Sequence, residues 1–226
     1  MSKSIKRSDV WVILPAYNEA RYIGTVLQKL QPITRNIVVI DDGSTDKTAH
    51  FAQQQTEHVL RHLVNLGKGA AMKTGAEYAF GHLHAKAVIF FDSDDQHNPQ
   101  ELELFYRQLN TGAQMILGVR SFDENMPLTR IIMNRLASVI ILLLFGAYIP
   151  DIPSGFKAFT RQVYKKIRWD AADYAVEIEI AARIAKQQIP FVTVPIETIY
   201  HDLDRGMSFL HTVRMITKIL SWRLAL

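Results

Sequence analysis

The sequence predicts an α/β protein whose mainly parallel sheet is covered by helices on both faces, and three observations lead to this class. Short continuous apolar runs, typical of strands buried on both faces, alternate with helix-like stretches over residues 10–120. No internal repeat or low-complexity linker interrupts the 226 residues, a length that suits one domain. Polar clusters follow the apolar runs, at the strand ends where a parallel sheet binds its ligands.

The elements of the first part follow from this alternation. Strands joined by single helices imply β-α-β units with right-handed crossovers. The predicted strands are 10–14, 36–40, 57–63, 87–91 and 115–119. The predicted helices are 19–30, which has an apolar stripe, 45–55, capped by Ser44 or Thr45, 68–80, and 99–109, opened by Pro99.

The alternation lapses after about residue 120. A strongly apolar helix or helix pair is predicted over Leu128–Gly146, and its uncharged run from Leu136 to Pro150 is 15 residues long. A membrane-spanning helix needs about 20 residues, so this run is too short to cross a bilayer. The remaining predicted elements are helices 161–167 and 175–186, a strand 190–196, and a final helix 211–222 with Arg214, Lys218 and Arg223 on or beside it.

The composition excludes several classes of function. The chain has no Cys, which rules out disulfide scaffolds, thiolate zinc sites and Cys nucleophiles. Its net charge of +4 is small for a dedicated nucleic-acid binder but suits anionic ligands or an anionic membrane surface. Residues 1–16 lack the pattern of a secretory signal. We therefore expect a cytoplasmic protein, soluble or attached to a membrane surface.

The strongest chemical signal is the acidic cluster after the strand at 87–91. Asp92 and Asp94, spaced i and i+2 on extended chain, project to the same side, and Gln96 continues the spacing. Two unpaired carboxylates repel each other, and a divalent cation would hold them together. The pattern predicts a Mg²⁺ or Mn²⁺ site. The alternative is a turn that caps the helix beginning at Pro99.

The other strand-end clusters are weaker signals when taken singly. Asp41 and Asp42 sit in an Asp-Asp-Gly-Ser sequence that is also ordinary turn chemistry. Lys68, between two glycines, could simply begin a helix, and an exposed tyrosine such as Tyr17 is unremarkable. If the clusters converge on one sheet edge, they supply an aromatic ring, acids and a lysine. Arg120, at the end of the fifth strand, adds a cation there. This equipment suits an anionic, metal-bound ligand that carries a ring.

The order of the motifs resembles the nucleotide-sugar half of the inverting family 2 glycosyltransferases, which have the GT-A fold. The motifs are LPAYNEA, VVIDDGSTDKT, NLGKGAA and FFDSDDQHNP, beginning at residues 14, 38, 65 and 90. The segment at 151–159 (DIPSGFKAF) and the strand at 191–200 are similar to the acceptor side of dolichyl-phosphate mannosyltransferases and bacterial polyprenyl-phosphate transferases. The resemblance covers residues 10–208 and implies one domain, with a nucleotide-sugar half (about 8–120) and an acceptor, membrane-proximal half (about 121–226).

The resemblance also implies roles for individual residues. Asp94 and Arg120 are the expected catalytic residues, with the arginine reaching a phosphate of the donor. The expected metal ligands are Asp92, Asp94 and Gln96. The expected donor-binding residues are Pro15, Tyr17, Glu19, Ile40, Asp42, Lys68, Asp92, Ser93, Asp94 and Arg120. The expected acceptor-binding residues are Ser154, Lys157 and Arg205. The family's late Gly-x-Ser-Lys motif reads Gly206-Met207-Ser208-Phe209 here and lacks the lysine. The candidates to replace it in phosphate binding are His211 and Arg214.

The expected reaction is transfer of a hexose, mannose or glucose, from a nucleoside diphosphate to a polyprenyl phosphate. A phosphate acceptor is largely ionised near pH 7 and needs no dedicated base. A hydroxyl acceptor, such as a glycan or a protein, is the alternative and would need one. The candidate bases are Asp151, Asp173, Glu177 and Glu179, although Glu177 and Glu179 are expected on a solvated helix face. A sugar nucleotidyltransferase and a non-enzymatic nucleotide- or membrane-binding module also stay open as alternatives. The nucleobase of the donor (guanine or uracil), the sugar and the oligomeric state stay open as well.

The apolar stretch Leu136–Ile149 has two interpretations, a buried core helix or a helix lying in the membrane interface beside the site. The second interpretation predicts binding to anionic vesicles that weakens with salt. It also predicts loss of that binding when Ile141, Leu143 and Leu144 are changed to Ser in a protein that still folds.

Overall fold

A computed structural model of the chain describes residues 4–120 and 128–197, with side chains from residue 131 in the second range. The strands are β1 (Val10–Ala16), β2 (Ile37–Asp41), β3 (Val59–Arg61), β4 (Ala87–Phe90), β5 (Met115–Arg120), β6 (Lys157–Thr160) and β7 (Val192–Ile196). The helices are α1 (Ile23–Leu30), α2 (Thr48–Gln53), α3 (Lys68–Gly81), α4 (Leu102–Asn110), α5 (Leu128–Phe145), α6 (Arg161–Ile167) and α7 (Val176–Lys186).

The described strands form one sheet in the order β3-β2-β1-β4-β6-β5-β7. The pairings of β1 with β2 and β4, of β2 with β3, and of β5 with β7 are parallel. β6 runs antiparallel between β4 and β5. The mainly parallel sheet with helices confirms the predicted fold class.

β6 is the strand that the sequence did not predict, because it is short and three of its four residues lie within the motif at 151–159. Its reversed direction matters for function. In a parallel strand the chain that follows the strand reaches the ligand edge, whereas in an antiparallel strand the chain that precedes it does. The segment 151–156 is therefore delivered to the same edge as the chain that follows β4.

Two hydrophobic clusters cover the two faces of the sheet, as expected for buried parallel strands. Ile13 and Ile40 face the cluster that contains α3 and α7, while Val12 and Leu14 face the cluster that contains α1 and α4. At about 25 cal/mol per Å² of apolar area, burial of these faces is the main source of stability.

Several element boundaries differ from the predicted ones. α1 begins at Ile23 rather than residue 19, because residues 19–22 form a tighter turn in which the N–H of Tyr22 donates to the carbonyl of Glu19. α2 begins at Thr48, whose N–H donates to the side chain of Asp46, so neither Ser44 nor Thr45 is its cap. The predicted final helix 211–222 lies outside the described residues.

Candidate active site

The acidic end of β4 is the centre of the candidate site. The Lys68 ammonium lies 2.9 Å from Asp92 Oδ1, and His97 Nε2 lies 3.5 Å from Asp92 Oδ2. Although burial opposes ionisation, the neighbouring Lys68 and His97 hold the pKa of the Asp92 carboxyl well below its usual range. Asp92 is therefore a permanent anion whose present partners are side chains rather than backbone.

Asp94 has a different electrostatic environment. Burial, and then the charge of Asp92, raise the pKa of the Asp94 carboxyl above its usual value. Its Oδ1 accepts a hydrogen bond of 3.2 Å from the backbone N–H of Gln96, whose own side chain is half-buried. The cap of the following helix is Asn98, which accepts from the N–H of Gln100. The bond to Asp94 is thus the turn that the alternative expects, whereas the capping of the following helix by the acids is wrong.

Lys68 links the acidic end of β4 to α7. Its ammonium also lies 3.2 Å from Glu177 Oε1, and the carboxylates of Asp92 and Glu177 outweigh burial and raise the pKa of Lys68. Glu177 pairs in turn with Lys157, whose Nζ donates to the backbone oxygens of Ile152 and Ser154. One buried carboxylate thus joins a lysine from the predicted donor side to a lysine from the predicted acceptor side.

The expectation that Glu177 and Glu179 lie on a solvated helix face is wrong. Both are buried, with 5% and 1% of their surface exposed. Glu179 accepts hydrogen bonds from the backbone N–H groups of Asp170 and Ala171 and pairs with Arg183. The lysines that pair with Glu177 come from distant segments, and the bonds of Glu179 depend on how residues 170–171 fold back onto the helix, so the helical pattern alone could not reveal the burial.

Arg120 and Asp151 form a second ion pair beside the first. The Arg120 guanidinium lies 2.6 Å from Asp151 Oδ1, and its backbone N–H donates to Oδ2 at 2.8 Å. Asn134 of α5 donates to the same carboxylate at 2.9 Å. Asp151 therefore joins the end of β5, α5 and the segment that precedes β6.

The segment 151–156 lies against the acidic end of β4. A Cβ at Gly155 would overlap the Asp92 carboxylate, so the close approach requires glycine. Ser154 is 2% exposed, and within the described ranges its hydroxyl has no hydrogen-bond partner. Lys157 is also buried, in β6. The predicted acceptor residues Ser154 and Lys157 thus lie beside the predicted donor residues, whereas Arg205 is outside the described residues.

The remaining predicted donor residues lie along β1 and β2. Tyr17 is 45% exposed just beyond β1, whereas Ile40 is buried and packs its side chain into the core. Pro15 is buried, and its carbonyl accepts from the Ser93 hydroxyl at 2.9 Å. Glu19 is half-buried at the start of the following turn.

Asp42 adjoins this group and connects to the acidic centre in two steps. Its Oδ2 accepts from the N–H of Gly67 at 2.8 Å, and the next residue is Lys68, which pairs with Asp92. The predicted nucleoside carboxylate and the predicted metal carboxylate are therefore parts of one continuous site.

The sequence analysis missed two histidines in the site. His97 is buried against Phe91 and Phe156, and His62 lies 2.7 Å from Asp42 Oδ1. In the sequence, His97 follows the acidic residues after β4, and His62 precedes Gly67-Lys68-Gly69. These positions are the only local sign that the two histidines belong to the site. Within the parts of the chain that the structure describes, no three His, Asp or Glu side chains cluster closely enough to hold a metal ion. The ligand set Asp92, Asp94 and Gln96 stays a prediction.

A model of the family described as glycosyl transferase family 2 matches residues 11–168. The chain belongs to this family. The transferase is 29% identical to a UDP-N-acetylglucosamine–dolichyl-phosphate N-acetylglucosaminyltransferase of Methanococcus voltae, over 93% of this chain and 94% of that protein. It is 28% identical to a polyprenol monophosphomannose synthase of Mycolicibacterium smegmatis, over 82% of this chain and 75% of the relative.

A solved structure of glucosyl-3-phosphoglycerate synthase from Mycobacterium tuberculosis, in complex with Mg²⁺ and UDP, superposes on the transferase with a TM-score of 0.73. It covers 95% of this chain and 78% of the other, at 21% sequence identity. This likeness identifies the fold as GT-A and confirms that expectation. No helix among the described residues combines the length and the apolar character needed to span a bilayer.

Proposed function

We propose that the transferase moves a hexose, mannose or glucose, from a nucleoside diphosphate sugar to a polyprenyl phosphate. The observation that carries the choice of acceptor is the state of the four candidate bases. Asp151 is bound by Arg120 and Asn134, Glu177 by two lysines, and Glu179 by two backbone N–H groups and Arg183. Asp173 accepts from the N–H of Ala175.

Carboxylates held by cations or donors in this way are poor general bases, because their partners stabilise the ionised form. A hydroxyl acceptor would need a base, whereas a phosphate acceptor brings its own anionic oxygen. The names of the two relatives above, a dolichyl-phosphate and a polyprenol-phosphate transferase, support the same acceptor class.

In the proposed reaction a phosphate oxygen of the acceptor attacks the anomeric carbon, and the bond from that carbon to the diphosphate oxygen breaks. The configuration at the anomeric carbon inverts. Negative charge develops on the departing nucleoside diphosphate. Lys68, which pairs with Asp92, would bring an ammonium to that charge, and Arg120, while it stays paired with Asp151, would add the positive charge of a guanidinium at the end of β5. Ser154 offers on the acceptor side a hydroxyl that has no hydrogen-bond partner among residues 4–120 and 128–197.

The donor set at the end of β4 fits a Mg²⁺ or Mn²⁺ ion. Asp92 and Asp94 supply hard oxygen ligands, and burial together with the nearby charge of Asp92 raises the pKa of Asp94. Mg²⁺ is typically bound by one or two carboxylates together with substrate phosphates, which matches a site with two such groups. When bound, the ion would offset charge on the leaving diphosphate. Asp92, Asp94 and Gln96 are the residues that would hold it.

We further propose that α5 rests on the membrane that holds the acceptor. Its side chains at i, i+4, i+7 and i+11 form an apolar stripe that is exposed to solvent. The stripe consists of Ile132, Leu136, Val139 and Leu143, with exposed fractions of 62%, 43%, 42% and 77%. Asp151, which begins the predicted acceptor segment, is contacted by Asn134 on the buried side of the same helix, so α5 lies between this segment and the surface that bears the stripe.

The structure corrects the substitutions that test this idea. Ile141 is fully buried in the core, so its change to Ser would unfold the protein rather than detach it. The appropriate variant is Leu136→Ser with Val139→Ser and Leu143→Ser. We expect it to melt like the wild type yet to lose flotation with anionic vesicles at low salt. Equal flotation of both proteins would contradict the role of α5.

The proposed reaction is tested with a donor panel of UDP- and GDP-linked glucose and mannose, screened by thermal shift with Mn²⁺. The stabilising donor is then assayed for transfer to polyprenyl phosphate in vesicles, with the unphosphorylated polyprenol as the matched control. Transfer to the phosphate alone is expected. Transfer to the alcohol alone would favour the hydroxyl alternative. Nucleotide binding without transfer to any acceptor would favour a non-enzymatic module.

A further inference from the structure

The Asp42 carboxylate is almost fully used by the chain itself. Its Oδ1 lies 2.7 Å from His62 Nδ1 and accepts from the N–H of Leu66 at 3.0 Å, and its Oδ2 accepts from the N–H of Gly67. A carboxylate offers about four acceptor positions, so about one remains, on Oδ2. Any ligand that reads Asp42 must meet this single position, whose direction depends on how the carboxylate is held.

Among the described residues, His62 is the side chain that hydrogen-bonds to the Asp42 carboxylate. The other nitrogen of its imidazole ring is also bonded. His62 Nε2 lies 2.9 Å from the Thr74 hydroxyl on α3. The backbone N–H of His62 donates to the carbonyl of Asp41 at 2.9 Å. Because the carboxylate cannot donate, the hydrogen on Nδ1 is assigned to the bond with Asp42.

The segment that follows His62 is pressed against the turn after β2. Gly43 has φ +73°, and a Cβ there would overlap the backbone of Val64. Arg61, just before the segment, pairs with Asp41 at 3.0 Å and donates to the carbonyl of Ser44 at 2.8 Å. The backbone of residues 62–67 is therefore held at both ends and in the middle.

In contrast with this fixed backbone, the apolar side chains of the segment are exposed. Leu63, Val64 and Leu66 have exposed fractions of 100%, 62% and 50%. Tyr17 is adjacent in the chain to Asn18, whose N–H donates to the hydroxyl of Ser44 in the same turn. Apolar side chains on a rigid backbone, near an exposed aromatic ring and one open acceptor, form a surface suited to a nucleoside base.

We infer that His62 is a positioning residue for nucleoside recognition. It orients the Asp42 carboxylate, and the same carboxylate accepts from the N–H groups of Leu66 and Gly67 and so keeps the segment in place as the wall of the nucleoside pocket. The inference rests on the proposed function in taking a nucleoside diphosphate as the ligand. It assigns His62 no contact with the reacting atoms. Its removal is expected to weaken nucleotide binding and to spare the chemical step.

The test compares substitutions that keep different edges of the imidazole. In His62→Asn the side-chain amide can replace Nδ1 and donate to Asp42, whereas in His62→Gln it replaces Nε2 and reaches Thr74. His62→Leu removes both bonds. The matched control is His58→Asn, because His58 precedes the same strand β3 at the opposite sheet edge and its Nδ1 lies 3.3 Å from the Tyr78 hydroxyl.

Binding of UDP and GDP with Mn²⁺ is measured by calorimetry. Donor KM and kcat are measured with the donor that the panel described above selects. We expect His62→Leu and His62→Gln to weaken binding of the preferred nucleotide about tenfold or more, since an unmet partner of a buried polar group is costly. His62→Asn and His58→Asn should stay within about threefold of wild type. The donor KM should rise in the first two variants while kcat changes less than about twofold.

The outcomes separate the inference from the proposed function. If the wild type binds neither UDP nor GDP, the proposed function fails and takes the inference with it. If the wild type binds a nucleotide and His62→Leu and His62→Gln bind it equally well, the inference alone is overturned. If His62→Leu does not fold, His62→Gln decides, because binding as tight as that of His62→Asn would contradict the role of the Asp42-facing nitrogen.

Discussion

The two acid pairs at the ends of β2 and β4 look alike in sequence and differ in the folded protein. Asp42 is 3% exposed and receives three hydrogen bonds from one segment of its own chain. Asp92 keeps 24% of its side chain exposed, and its ion-pairing partners in the described structure are Lys68 and His97. The pKa of its neighbour Asp94 is raised by burial and by the charge of Asp92.

The difference shows what each pair is built to do. Hydrogen bonds from backbone and imidazole make Asp42 part of the scaffold, with a single position left for a ligand. Asp92 and Asp94 are instead two neighbouring acids, of which Asp94 accepts only a backbone hydrogen bond from Gln96 in the described structure, an arrangement that a cation would stabilise. The following predictions test this contrast, beginning with the largest expected effect.

Substitution of Asp94 should remove activity without unfolding the protein. We expect Asp94→Asn and Asp94→Ala to lower kcat/KM by about 10³-fold or more, a loss typical of removing charge stabilisation at a reacting group. Thermal melts in the absence of metal should match the wild type, because Asp94 makes no buried ion pair in the described structure. Normal turnover by the folded variant at saturating donor would rule out Asp94 as a metal ligand.

Substitution of Asp42 should do the reverse and cost stability. In Asp42→Ala the N–H groups of Leu66 and Gly67 lose their acceptor, so the free energy of unfolding should fall by about 1–3 kcal/mol in urea denaturation. Donor KM should rise far more than acceptor KM, because the nucleoside wall loosens. Equal effects on both KM values would move Asp42 out of the nucleoside site.

The two buried glutamates of α7 sharpen the comparison further. Glu177→Gln weakens the attraction that holds Lys68 and Lys157, and we expect kcat/KM to fall about 10- to 100-fold with changes in both donor and acceptor KM. The matched control is Glu179→Gln, equally buried on the same helix but bonded to residues 170, 171 and 183. It should lower the melting temperature and leave both KM values near wild type. Identical kinetic effects from the two variants would contradict a specific role for Glu177.

The contrast also predicts metal-linked stabilisation. Mn²⁺ together with the preferred nucleoside diphosphate, at about 100 times the dissociation constant, should stabilise the wild type by about 2.7 kcal/mol. A chelator should reverse the corresponding rise of several degrees in melting temperature. Asp94→Ala should show little of this rise. If the nucleotide stabilises both proteins equally with and without metal, the carboxylates at the end of β4 do not hold a cation.

The sequence predicted most of the sheet because its parallel strands are continuous apolar runs with polar ends. It did not predict β6, which is four residues long and places Lys157 in a buried position. A buried lysine depends on a carboxylate 20 residues away in the chain, and no local pattern reports that pairing. The same reason explains the wrong expectation for Glu177, whereas Glu179 is buried through bonds with residues 170 and 171, just before its helix.

The residue types of the candidate site and their order were predictable from the sequence. The hydrogen bonds and ion pairs that connect these residues were less so. Because ligands bind at the carboxyl ends of parallel strands, Asp42, Lys68 and Asp92 were expected at one edge of the sheet. In the structure Asp42 accepts from the N–H of Gly67, and the next residue, Lys68, pairs with Asp92. The roles of His62 and Asp151 could not be inferred in the same way. They depend on side-chain geometry between segments that are 20 and 31 residues apart.

The contact between Gly155 and Asp92 sets a rule for redesign of the enzyme. The spacing between the acceptor-side segment and the acidic end of β4 is set there by backbone touching a carboxylate, with no side chain between them. Segments exchanged between transferases to alter the acceptor would have to keep glycine at position 155, or they would displace Asp92.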